Sequence, residues 1–183
     1  MVQPQVTKYY MGMTLMTALS RQRKSKLTVT AFLKEAEICR TTFYNHFPDG
    51  ICGLYRWLLE DRILKEARET FEVGQWQAGC QVIIDFIASN ATVCLNLYRF
   101  SDETERRRFF KRFAMDILGS FLLKYQEQFT ESERACFIEF YSDALICQLE
   151  HWFDSGLKLP KEQLNERVTF NLAHFQQILA SEQ

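Results

Sequence analysis

The sequence predicts an all-α protein on three observations. Apolar residues recur at intervals of three and four along most of the 183 residues, which places them on one face of a helix. Only seven Gly and three Pro occur, fewer than the turns of a sandwich or barrel need. Hydrophobic residues make up 47% of the chain, so a packed core is expected rather than disorder. We expect a three-helix N-terminal head joined by one long helix to a larger helical bundle.

The head is predicted to contain helices at about residues 7–23, 29–37 and 40–46. Thr28 is a suitable N-cap for the second helix, which a short break separates from the third. The third helix is too short and polar to be stable alone, so Phe43 and Phe47 must pack while its other face is offered to a partner. That face carries groups that bond phosphates and base edges: Arg40, Thr41, Thr42, Tyr44, Asn45 and His46.

This segment resembles the helix-turn-helix of TetR-type transcriptional regulators. The matching residues are Thr28-Val29, Ala36 before the turn, and the run Thr42-Phe43-Tyr44-Asn45-His46-Phe47. The resemblance implies that double-stranded DNA is bound by Lys26, Thr28, Arg40, Thr41, Thr42, Tyr44, Asn45 and His46. Three features depart from the pattern. Glu37 replaces the usual turn Gly, Cys39 replaces the usual Ser cap, and the turn at residues 48–51 lacks the usual Lys.

The long connecting helix is predicted at residues 51–73, with Asp49 as its N-cap. Helices at about residues 77–88, 91–98, 103–127, 131–155 and 161–179 follow. Thr130 and Glu133 form a capping-box sequence, and Gly156 and Pro160 separate the last two helices. The predicted domains are a DNA-binding head at residues 1–50, continuing into the connecting helix 51–73, and a regulatory and dimerisation body at residues 74–183.

The C-terminal half is similar to the short C-terminal domains of TetR regulators grouped with dihydroxyacetone-kinase regulator-like members. The resemblance lies in the runs at residues 140–144 and 152–156 and in Leu159-Pro160. It implies a homodimer whose last two helices form a four-helix bundle. The apolar stripes of those helices predict the interface residues Tyr141, Ala144, Gln148, His151, Trp152, Leu164, Val168, Asn171, Phe175 and Ile178.

Charge is divided unevenly along the chain. Residues 1–50 hold seven Lys and Arg against three Asp and Glu, a net of +4, and the remainder carries a net of −5. A basic head on an acidic body fits a head that meets nucleic acid. Aromatic residues in the body and at the end of the connecting helix suggest an effector pocket, although core packing explains the same residues equally well. The pocket candidates are Phe71, Trp76, Phe86, Tyr98 and Phe113.

The sequence offers little for catalysis. We recognise no nucleophile–base set, Gly-rich phosphate loop or carboxylate pair, and we predict no enzyme, cofactor or metal site. Cys147 and His151 share a helix face, but two ligands do not fix a metal. Cys39, at a helix N-terminus, is the cysteine best placed for a redox role. Without a recognisable signal peptide or transmembrane run, a cytoplasmic protein is expected.

Two functional hypotheses remain. The first is a homodimeric regulator that binds a pseudo-palindromic operator under the control of an unknown small-molecule or protein effector. The second is a protein-interaction module of the same fold whose DNA binding is weak or lost, as Glu37, Cys39, Gly50 and the modest positive charge of the head suggest.

Overall fold

A computed structural model describes residues 4–21, 26–123 and 127–181, and these ranges contain helices and turns but no strand. The predicted all-α class is therefore confirmed. In chain order the helices are α1 (Pro4–Ser20), α2 (Val29–Ala36), α3 (Arg40–His46), α4 (Ile51–Leu59), α5 (Lys65–Glu72), α6 (Trp76–Ser89), α7 (Ala91–Phe100), α8 (Glu103–Leu122), α9 (Glu131–Asp154) and α10 (Lys161–Ser181).

Two of the predicted helix caps are confirmed and one is wrong. Thr28 Oγ1 accepts a hydrogen bond from the Ala31 amide at 3.2 Å, and the capping box before α9 is complete. Asp49 was expected to cap α4, but Gly50 occupies that position with φ +68. Asp49 instead accepts a hydrogen bond from Arg56, 3.3 Å away on the next turns of α4.

The connecting helix is continuous but not uniform. Residues Glu60–Leu64 form a π-helical turn between α4 and α5, so the predicted regular helix from residue 51 to residue 73 is interrupted in its hydrogen-bond pattern. In a π turn the backbone hydrogen bonds join residues five apart rather than four apart. The turn therefore accommodates one residue more than an α turn. Leu58 before the π turn and Ile63 and Leu64 within it are all buried. The positions of the apolar residues therefore do not reveal where the hydrogen-bond pattern changes.

One compact unit consists of residues 1–63 and 90–102. Its core is formed by buried residues of α1 to α4 together with Val93 and Leu97 of α7. Asn96, also on α7 and buried, donates hydrogen bonds through Nδ2 to the carbonyls of Leu19 at 2.8 Å and Arg21 at 3.0 Å. The sequence interpretation placed residues 91–98 in the body; in the structure they pack with the head because these contacts join α7 to α1.

The second compact unit consists of residues 64–89 and 103–183. In it α8 packs on α9, α5 on α6 and α8, and α6 on α10. Lys161 of α10 forms an ion pair with Asp85 of α6 at 2.6 Å. Arg107–Glu150 and Lys111–Asp143, both at 3.1 Å, join α8 to α9. We refer to this unit as the body.

We find in the described residues no single helix that is both long and apolar enough to cross a membrane. By length and composition alone, the bent pair of α6 and α7 meets the criterion together.

Candidate nucleic-acid interface and body cavity

The turn between α2 and α3 forms without the usual glycine. Glu37 adopts the left-handed conformation, with φ 53 and ψ 37, and its amide donates to the Leu33 carbonyl. The amide of Ile38 donates to the same carbonyl at 3.3 Å. Tyr10 of α1 fixes the end of α2 because its hydroxyl donates to the Ala36 carbonyl at 3.0 Å. Glu37 therefore takes the positive φ that a turn Gly usually provides, at a cost of about 1 kcal/mol for a residue that carries a Cβ.

Aromatic packing holds α3 in place from one side only. Phe43 is fully buried, and its ring centroid lies 5.7 Å from Phe32 and 5.9 Å from Phe47. Phe47 in turn lies 6.2 Å from Trp57 of α4. The opposite face carries the predicted DNA-binding side chains: Arg40, Thr41, Tyr44 and Asn45 are exposed, and Thr42 and His46 are half-buried. The helix thus presents polar groups on a surface that its own packing does not need.

Cys39 occupies the N-cap position of α3 and makes no capping hydrogen bond through its side chain, as expected for a poor acceptor. Its exposed Sγ lies 3.1 Å from Thr42 Oγ1. The hydrogen bond with Thr42 lowers the pKa of the Cys39 thiol below its usual value. The thiol therefore lies at the N-terminus of the helix that carries the side chains predicted to bind DNA.

The head also carries several exposed cations. Lys26, Lys34 and Arg40 are exposed. Arg21, which directly follows α1, forms an ion pair with Glu35 at 3.1 Å. The basic residues at positions 23 and 24 lie outside the described residues.

The body contains an apolar cavity of about 130 Å³. Of the five pocket candidates, Phe71, Trp76 and Phe113 line it, whereas Phe86 of α6 does not and Tyr98 belongs to the head unit. The lining comes from every helix of the body and was largely missed by sequence reasoning. Its other members are Leu64, Cys80, Ile83, Ile84, Phe110, Ala114, Ile117, Leu118, Leu145, Ile146, Leu149 and Val168.

The residues predicted to form the dimer interface differ in their burial. Trp152 and Leu164 are buried within the chain itself, where the Trp152 indole donates to the Leu159 carbonyl at 2.9 Å. Val168 lines the cavity, and Tyr141 is half-buried against Phe137. Those that remain exposed are Ala144, Gln148, His151 and Asn171. The side chains of Phe175 and Ile178 lie outside the described part of the chain.

The sequence interpretation missed two exposed aromatic side chains on these helices. Phe140 of α9 and Phe170 of α10 are 69% and 62% exposed.

Cys147 Sγ and His151 Nδ1 lie 3.9 Å apart on α9. Within the residues that the structure describes, no three His, Cys, Asp or Glu side chains group as metal ligands.

Comparison with known proteins agrees with this arrangement. A family model described as a transcriptional regulator C-terminal region matches residues 74–173. Among solved structures, the dihydroxyacetone kinase operon activator DhaS is similar, with a TM-score of 0.69 and 15% identity over 93% of this chain and 97% of that chain. At this identity the likeness shows the fold alone. No curated protein matches the sequence.

Proposed function

The chain belongs to the TetR family of transcriptional regulators, and on that premise we propose that it is a homodimer that binds a pseudo-palindromic operator under the control of an effector. The observation that carries the proposal is the division of α3 between its two faces. Phe43 is buried in the core of the head, while Arg40, Thr41 and Tyr44 are offered to solvent. Regulators of this family are generally not enzymes, so we propose no catalytic activity, and a cytoplasmic location where the operator is accessible.

The side chains of α3 divide by their position along the helix. Arg40 and Thr41 occupy its N-terminal end, the end that reaches base edges in helix-turn-helix proteins. Tyr44 and His46 lie further along and are assigned to phosphates, as is Lys26 before α2. Base contacts provide specificity, and phosphate contacts provide affinity that falls with salt.

Binding isotherms on the DNA upstream of the protein's own gene, and on a scrambled duplex, test these roles. Arg40→Ala should relax base preference and cost about 1–3 kcal/mol on the operator if Arg40 grips a base with two hydrogen bonds. Tyr44→Phe should weaken both duplexes alike. Arg112→Ala, an exposed arginine of the body, is the matched control. Unchanged affinity in both head variants would remove α3 from the interface. An absence of salt-dependent binding by the unmodified protein would favour the interaction-module alternative.

Dimerisation is proposed through the exposed sides of α9 and α10. Phe140, Ala144, Gln148 and His151 are spaced by four, four and three residues, so they share one helix face. Phe170 adds exposed apolar surface on α10. Two-fold symmetry would then match half-sites one DNA turn apart, roughly 34–36 Å. Sedimentation should show a dimer that Phe140→Asp dissociates. A stable monomer of the unmodified chain at micromolar concentration would refute the arrangement.

The body cavity is the proposed effector site. Leu64 and Phe71 belong to the helical segment that continues from α4, so a bound molecule would touch the element that leads to the head along the chain. A protein effector that docks on the surface is the competing arrangement. Operator affinity measured with the cavity blocked distinguishes the two, because a surface partner does not need the cavity.

A further inference from the structure

We propose that the effector is an uncharged, apolar molecule of about the size of one aromatic ring, bound within the body cavity. The inference rests on the proposed function for the effector role. The binding itself follows from the chemistry and volume of the cavity, and it can be measured without DNA.

The walls of the cavity exclude charged and strongly polar ligands. Among the residues that the structure describes, no charged side chain lines the cavity, and all but two of these lining side chains are purely hydrocarbon. The two with a heteroatom are Cys80 and Trp76. Burial raises the pKa of the Cys80 thiol to about 12, so the thiol is neutral at physiological pH. A carboxylate, phosphate or polyol placed here would lose its hydration without compensating hydrogen bonds, which costs several kcal/mol per group by transfer measurements.

The volume restricts the ligand to a small molecule. The cavity measures about 130 Å³. An engineered cavity of about 150 Å³, lined by Leu, Ile and Phe, stays dry and binds benzene or xenon. A cavity of similar volume and lining therefore suits a single ring or a short hydrocarbon of comparable volume.

Aromatic walls give the cavity a defined shape. The centroids of Phe71 and Trp76 lie 5.3 Å apart, and Trp76 meets Phe121 behind it edge to face at 4.7 Å. Gly79 supports this arrangement because a Cβ there would lie only 2.5 Å from Phe71 Cε1. Aromatic rings pair favourably in offset or edge-to-face arrangements, so an aromatic ligand suits a wall that contains Phe71 and Trp76.

The direct test is a calorimetric titration of the full chain with benzene, and with glycerol as the polar probe. Benzene should bind with a stoichiometry of one per chain, and glycerol should not. At about five times its Kd, benzene should raise the midpoint of thermal unfolding by about 2–4 °C. An absence of benzene binding by the folded protein, or equal binding of glycerol, would overturn the proposal.

A filled cavity provides the matched comparison. Ala114 lines the cavity on α8, so Ala114→Leu should fill part of it and weaken benzene binding by about tenfold or more, equivalent to 1.4 kcal/mol. Ala135→Leu makes the same change at an exposed site of α9 and should leave binding unchanged. If Ala114→Leu does not fold, Ala114→Val serves instead, because it adds a smaller side chain at the same wall of the cavity. Benzene binding that survives a folded cavity variant would place the site elsewhere and overturn the proposal.

The effector role is separated from the binding by measuring operator affinity with and without benzene. A change that Ala114→Leu abolishes supports the whole proposal. Binding in the cavity with unchanged operator affinity would overturn the effector role while the ligand class stands. A protein that binds no DNA would refute the proposed function, and the titration would still decide what the cavity accepts.

Discussion

Asn96 of α7 provides a quantitative test of how the head is held together. Its buried amide donates to the carbonyls of Leu19 and Arg21 at the end of α1, more than 70 positions away in the sequence. Leu19 lies in the last turn of α1, where carbonyls have no donor from within the helix, and Arg21 directly follows that helix. Asn96→Ala removes both donors and leaves the rest of α7 unchanged, so the stability change reports this one connection.

The magnitude follows from the burial of the two acceptors. Each hydrogen bond contributes about 0.5–1.5 kcal/mol net, and a buried group left without its partner costs about 1–3 kcal/mol. Leu19 is fully buried, so most of the cost of an unpaired buried group should come from its carbonyl. Arg21 is exposed, so its carbonyl lies nearer to water and should cost less when unpaired. We therefore expect Asn96→Ala to lower the free energy of unfolding by about 2–4 kcal/mol.

Urea denaturation followed by circular dichroism measures this change, with exposed Thr92→Ala on the same helix as the control. Asn96→Asp preserves the shape but places a carboxylate oxygen against the carbonyls, so it should be at least as destabilising as Asn96→Ala. A loss below about 0.5 kcal/mol in Asn96→Ala would refute the assignment of this contact to the stability of the head.

Three further changes probe single features. Glu37→Gly should raise the free energy of unfolding by about 0.5–1 kcal/mol in thermal melts, because glycine adopts the left-handed conformation without a Cβ penalty. Thr42→Val should slow alkylation of Cys39 near neutral pH, because it removes the hydrogen bond that lowers the pKa of the thiol; an unchanged rate would contradict this cause. The hydrogen bond from Lys161 lowers the pKa of Asp85, so Asp85→Asn should destabilise the body above the usual pKa of an aspartate. That difference should disappear as pH falls through the lowered pKa of Asp85, and a difference that persists in acid would argue against the ion pair.

Local sequence signals predicted the helices and the α2–α3 turn well because their causes are local. Thr28, Glu37 and Cys39 adopt the cap and turn roles that their neighbours imply. The grouping of α7 with α1 was not predictable, since Asn96 meets carbonyls far away in the sequence. Nor does apolar spacing show which stripe of α9 serves the chain's own core, so Trp152 was assigned to an interface although it is buried.

The cavity illustrates a different limit. Phenylalanine and tryptophan fill a core and line a hollow with the same chemistry, so composition cannot distinguish the two cases. Phe71 and Trp76 were identified from their position on and after the connecting helix, but most of the cavity lining comes from aliphatic residues of α6, α8 and α9. Their convergence on a common space depends on the packing of helices that are distant in sequence.

The π-helical turn at Glu60–Leu64 makes the connecting helix tolerant of a particular mutation. A π turn holds about one residue more than an α turn, so deletion of one residue within it would restore a regular helix and keep the flanking faces in phase. The same deletion within α5 would rotate every later side chain of that helix by about 100° and expose Phe71. Length variation of this linker should therefore be acceptable at Asp61 and damaging at Arg68, an asymmetry that deletion scanning with a growth-coupled reporter would reveal.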